Sequence, residues 1–263
     1  MVIPNPLPFF NNGFHCIIYE KAWKGSRKYN IIFPPNRKED FNLQINETIL
    51  KHYLKNVMFI TGTAYAGKST MVKMLAENYG LVCCGENYDC IPDGILTPDQ
   101  YPNLCYFQTM KDWQEFINRS PEEYERWIFS NMWEIAEFEI TFLIHIAKSQ
   151  KVIVDTNIPL DILHKIADYN QVAVMLSPQS MSVEHFFDRN DPDKIFIKEQ
   201  IMKAENPEKT MKNFLACIAK INSKAHYDEF ANSGFFTIVR EDTATDTKLQ
   251  TLEALAKHFC LID

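Results

Sequence analysis

Val57-Met58-Phe59-Ile60-Thr61 runs without a break into Gly62-Thr63-Ala64-Tyr65-Ala66-Gly67-Lys68-Ser69, which matches the pattern G-x-x-x-x-G-K-[ST] at every position. The apolar residues ahead of the glycines predict a buried strand. Lys68 to Tyr79 reads as a helix closed by Gly80, a residue that accepts the left-handed conformation a helix end favours. Strand, glycine-bearing turn and helix in that order make an anion site. The glycines let the chain turn with its amide hydrogens facing inward, and the helix brings the positive end of its dipole to the same point. Phosphate groups are what such a cradle fits. With only 8 glycines in 263 residues, a chance match is rarer than average composition would give.

Outward from this turn, short apolar runs alternate with helical patterns: VMFI at 57–60, LVCC at 81–84, KVIV at 151–154, VAVML at 172–176 and FFTIV at 235–239. Helices are expected at 68–79, over a long stretch before residue 151, and at 160–169, 194–230 and 247–259. This alternation predicts an α/β fold of three layers, with a mainly parallel five-stranded sheet and the strand of the glycine turn at its centre. Punctuation agrees with it. Ser120-Pro121-Glu122-Glu123 offers an N-cap, a proline in the first turn and a capping-box glutamate, and Asn206-Pro207 opens a helix in the same way. Residues 86–148 form a helical insertion after the second strand, long enough to build a substrate wall. Residues 1–55 read as an amino-terminal extension or hairpin, His15–Tyr19 with Tyr29–Phe33, and 56–263 as the main domain.

With strand, loop and helix in place, the chain resembles the P-loop NTPases, and among them the small-molecule and nucleotide kinases, over about residues 56–260. The resemblance implies ATP and Mg²⁺ as cofactors. Gly62, Thr63, Ala64, Tyr65, Ala66, Gly67, Lys68, Ser69 and Thr70 would surround the nucleotide, with Lys68 on the β and γ phosphates. Lys151-Val152-Ile153-Val154-Asp155 is similar to a Walker B strand, which makes Ser69 and Asp155 the expected metal residues. Thr156 follows where additional-glutamate ATPases carry an acid, and neither DxxG nor NKxD occurs, so a motor ATPase and a translational GTPase are both disfavoured. In kinases of this kind a carboxylate just past the second strand faces the acceptor; Asp89 is the first choice as base and Glu86 the second. A lid is expected at about 178–200, with Arg189 swinging onto the transferring phosphate and Lys194 assisting. Each residue also has a plainer reading. Asp155 can cap the next segment, Asp89 can make an Asx turn, and Arg189 can pair on the surface with the aspartates around it. Arg119 and Arg126 are either clamps for an acidic substrate or members of solvent ion pairs, and Arg240 is a candidate neighbour of the adenine edge.

Composition narrows the alternatives. Hydrophobic residues at 46%, aromatic at 13% and charged at 23% describe a folding globular chain, and a net charge of −7 argues against coating nucleic acid. The apolar stretch Phe138–Ala147 falls short of the roughly 20 residues that cross a bilayer, so no membrane span is expected, and the cysteine usage is what points to a cytoplasmic protein. Seven cysteines, an odd number, read as reduced and mostly buried thiols rather than zinc ligands or disulfides. Neither H-E-x-x-H nor G-x-S-x-G is present. The expected activity is ATP-dependent phosphoryl transfer to a hydroxyl or phosphate on a small molecule. The alternative is a nucleotide-binding regulatory or assembly protein with little turnover, and a kinase acting on RNA ends or on a sugar nucleotide is a third reading. Neither the acceptor nor the oligomeric state is legible.

Overall fold

Each of the five apolar runs forms a strand in the computed structural model, which describes residues 45–86, 88–188, 191–240 and 246–262. They are β1 (Val57–Gly62), β2 (Val82–Cys84), β3 (Val152–Asp155), β4 (Val172–Leu176) and β5 (Phe236–Val239). The sheet order is β2-β3-β1-β4-β5 and every pairing is parallel, so β1 is central as expected. The strands read as unbroken apolar runs because both faces are covered. Along β1, Val57 and Phe59 enter one core with Leu54, Leu143 and Leu163, whereas Met58 and Ile60 enter another with Val72, Leu75 and Leu255. Burying each of these large side chains contributes about 1.5–3 kcal/mol.

Helices α2 (Lys68–Tyr79) and α11 (Lys248–His258) cover the second core; α1 (Glu47–Leu54), α5 (Pro121–Ile146) and α6 (Leu160–Ile166) cover the first. The connection β1-α2-β2 leaves the centre on one side and β3-α6-β4 on the other. Right-handed crossovers in opposite directions put their helices on opposite faces, and ligands gather at the carboxyl ends where the direction changes. Those ends are level: Ile60 pairs with Asp155, and Gly62 with Met175.

The insertion is built on α5. Ser120 accepts from the Glu123 amide, the Glu123 carboxylate accepts from the Ser120 amide at 2.9 Å, and Pro121 opens the first turn, as the sequence predicts. Inside the helix, fully buried Glu134 accepts from the amides of Asn103 and Leu104 at 3.0 and 2.9 Å, which ties the preceding loop to the helix. Beside it lie α3 (Tyr106–Thr109), α4 (Trp113–Ile117), α7 (Gln179–Glu184), α8 (Pro192–Met202), α9 (Pro207–Ile221) and α10 (Lys224–Ala231). Tyr106, Phe116, Tyr124, Trp127 and Phe214 form the aromatic centre of this helical lobe.

Several expectations need correction. The helix expected at 160–169 stops at Ile166, and a short 3-10 turn follows at Tyr169–Gln171, where the Gln171 side chain donates to the carbonyls of Leu54 and Val57. The helical stretch at 194–230 is three helices, since the Asn206 side chain caps α9 and restarts the chain there. Leu50 and Leu54 of α1 are buried in the first core, although they precede the domain boundary expected at residue 56. Arg119 is no clamp. It is buried, with its guanidinium 3.8 Å from the centre of the Tyr106 ring. The hairpin at 15–33 lies outside the described residues. Among the described cysteines Cys84, Cys90, Cys105 and Cys217 are buried, whereas Cys83 and Cys260 are exposed. Among the described residues no helix is long and apolar enough to cross a membrane.

Candidate functional site

At the end of β1 the chain turns through two glycines, both at positive φ and the first also pressed against β4. Gly62 has φ +126°, and a Cβ there would lie 2.0 Å from the Met175 carbonyl oxygen; Gly67 has φ +92°. Between them Tyr65 also takes positive φ, +65°. The turn is braced by the neighbouring strand end. The Thr63 amide donates to the Met175 carbonyl at 3.0 Å, and the Ser177 amide donates to Thr63 Oγ1 at 2.7 Å. From the end of β5, Arg240 Nη1 donates to the Tyr65 carbonyl at 3.2 Å, so Arg240 holds the loop rather than standing apart from it. Lys68 is 8% exposed, and its Nζ folds back to the Thr63 carbonyl at 3.2 Å, which brings a cation across the mouth of the turn.

The second residue of α2 reaches the neighbouring strand. Ser69 Oγ donates to Asp155 Oδ2 at 2.7 Å. Asp155 is 3% exposed, and its Oδ1 is buried with no hydrogen-bond partner. Burial pushes the Asp155 carboxyl above the usual carboxylate range; Lys68 opposes this, Glu86 adds to it, and the Ser69 hydrogen bond opposes it. An orphaned carboxylate oxygen beside a hydroxyl is an oxygen donor set that suits a hard divalent cation such as Mg²⁺. The pair therefore fits the expected metal site.

A cavity of about 1240 Å³ opens from this point and continues between the sheet end and the helical lobe. Of positions 62–70, all but Ala66 line it; Ala66 is buried in the core beneath α2. Glu86 lines it as well, whereas Asp89, the first choice for a base, is exposed and stands outside the lining. Arg126 lines the cavity from α5. Arg189 lies outside the described residues. Lys194 does not: from α8 its Nζ donates to Tyr65 Oη at 3.1 Å, and that hydroxyl donates to the His185 carbonyl at 2.8 Å. His185 and Lys194 are thus both joined to the loop through Tyr65.

Sequence reasoning missed two features. Glu139, in the middle of the apolar run of α5, is fully buried near Asp155, and burial pushes its carboxyl up to about 7, with the Asp155 charge adding to the effect. A glutamate inside an otherwise apolar stretch is the one sign it leaves in the sequence. The far wall of the cavity, where His226 meets Glu125 at 2.8 Å, leaves none, because its residues are 101 positions apart. Together the loop, Lys68, Ser69 and Asp155 can hold a polyphosphate and a divalent cation, and the cavity beyond them can take a second molecule. No protein-family model, curated protein or solved structure matches the chain.

Proposed function

We propose that this protein binds ATP with Mg²⁺ at the 62–69 loop and transfers the γ-phosphoryl group to a hydroxyl on a small molecule. The observation that carries the reading is the 2.7 Å contact between Ser69 of the loop and the buried, half-unpartnered Asp155 of the adjacent strand. A glycine turn alone would bind an anion. A glycine turn with an oxygen donor pair one strand away suits an anion accompanied by a divalent cation.

Each nearby group then has work to do. The loop amides and Lys68 stabilise the charge that spreads over the transferring group, and Ser69 and Asp155 would hold Mg²⁺, which neutralises phosphate charge when bound. Glu86, rather than Asp89, faces the cavity and accepts the acceptor's hydroxyl proton. Lys194 is the closing cation on the lid side. The size of the cavity favours transfer over simple hydrolysis, since about 1240 Å³ exceeds the roughly 300–1000 Å³ of a site for one small ligand.

The test is acceptor-dependent ADP formation in a screen of nucleosides, sugars and amino alcohols, with Lys68→Ala as control. Phosphorylated product is expected from the unaltered protein alone. Product in equal amounts from both would remove the assignment.

A further inference from the structure

We propose that the acceptor is a hydroxyl compound with a protonated amine beside an aromatic or apolar body. This rests on the phosphotransfer reading of the same site and names the substrate class that reading leaves open. Beyond the loop the cavity runs between α5, α9 and α10. Its wall there carries the rings of Phe129, Trp133, Tyr227 and Phe230.

The charges on this part of the wall are mainly of one sign. Glu122, Glu125, Asp161 and Glu229 line the cavity against Arg126 and the imidazole of His226, while its loop end carries the lysines Lys68 and Lys194 together with Glu86 and Asp193. Lys220 also approaches Glu125, at 3.7 Å, and the balance stays negative. A phosphate-bearing acceptor would have to bring further negative charge into this cleft, where it meets more carboxylates than cations. A cleft of that sign gathers cations instead.

The wall already shows how it treats a nitrogen base. The His226 ring lies 4.5 Å from the Phe129 ring, with Nε2 2.8 Å from Glu125 and Nδ1 3.7 Å from Glu229. A ring face combined with carboxylates is how proteins bind ammonium groups. A ligand amine held by cavity carboxylates such as Glu122 or Asp161, both exposed in the lining, would share one cavity with Glu86 and the loop, to which its hydroxyl would go. In the transfer, the hydroxyl oxygen bonds to the γ phosphorus and the bond from that phosphorus to the β-phosphate oxygen breaks. ADP leaves, and the hydroxyl proton passes to Glu86. The product is the O-phosphate monoester of the amino alcohol.

Three probes of one shape separate the possibilities: 2-amino-3-phenylpropan-1-ol, a cation; 3-phenylpropane-1,2-diol, neutral; and 3-phenyllactate, an anion. Calorimetry on the full chain without nucleotide should show the amine binding roughly tenfold tighter than the diol, and the lactate weakest. In the double variant E122Q/D161N, both sites being exposed, the amine should lose roughly three- to tenfold while the diol is unchanged. Equal binding of amine and diol, tighter binding of the lactate, or no binding of any probe would overturn the substrate class. Calorimetry with Mg-ATP is run separately. Nucleotide binding without an amine preference rejects the acceptor class and leaves the phosphotransfer reading. An amine preference without nucleotide binding keeps the ligand class and rejects phosphotransfer.

Discussion

Lys194 Nζ lies 3.1 Å from Tyr65 Oη, joining α8 to the glycine loop across 129 positions of sequence. The same hydroxyl donates to the His185 carbonyl, so the side chain of Tyr65, whose backbone is left-handed, meets both His185 and Lys194. The ammonium also rests 4.8 Å from the Phe186 ring and 5.1 Å from the Tyr65 ring. Asp191 lies beside it as well, its Oδ2 4.0 Å from the ammonium, so a hydroxyl, two ring faces and a carboxylate hold this cation next to the loop.

Lys194→Met is therefore expected to lower turnover about a hundredfold, the effect of removing one preorganised charge-stabilising donor, with a smaller change in KM for ATP. Tyr65→Phe removes only the tether and should cost about three- to tenfold. Steady-state ADP release measures both; a Lys194→Met enzyme with full turnover would remove the lysine from the closing role.

Asp155→Asn should reduce Mg²⁺-dependent turnover by about a hundredfold or more while leaving the fold intact. Since burial disfavours the charged carboxyl at this position, the variant's thermal midpoint at pH 8 should equal or exceed that of the unaltered protein. Thermal scans alongside the kinetics test the two halves separately.

Gly62→Ala should be severely destabilising, by about 3 kcal/mol or more, because it combines positive φ with a Cβ driven into the backbone of β4. The measurement is the denaturant midpoint. Gly94→Ala, also at positive φ but with open space around it, is the control and should cost about 1 kcal/mol.

Stability should fall as pH rises from about 4.5 to about 7, in part through Glu139. Its folded carboxyl holds a proton up to about 7, whereas the unfolded one releases it near 4.5, so over this window the folded state binds more protons and each step upward in pH favours unfolding. The full effect of such a shift is about 3 kcal/mol. Glu139→Gln should flatten the profile and raise the midpoint at pH 8 more than at pH 5; a variant with an unchanged pH slope would contradict this.

Much of the fold was legible because its signals are short-ranged. The apolar runs, the Gly80 end of α2, the Ser120 box and the Asn206 cap each act over a few residues, and each appears where its pattern occurs. The break at Ile166 was not legible, since it follows from Gln171 bonding back to Leu54 and Val57 across more than a hundred positions. Arg119 was misread for a related reason: charge predicts solvent, and only the packing of Tyr106 and Trp127 around it makes a buried site for a guanidinium.

By itself, the order of residues determined that this chain has a glycine-bearing turn between a buried strand and a helix, inside an alternating α/β pattern. Backbone sterics and hydrophobic periodicity write those features locally. Tertiary structure alone decided that Ser69 meets Asp155, that Glu86 and not Asp89 faces the cavity, that Lys194 reaches the loop, and that the far wall is aromatic and acidic. These depend on strand order and on the docking of α5, α8 and α10, where side chains distant in sequence converge without leaving any periodic trace.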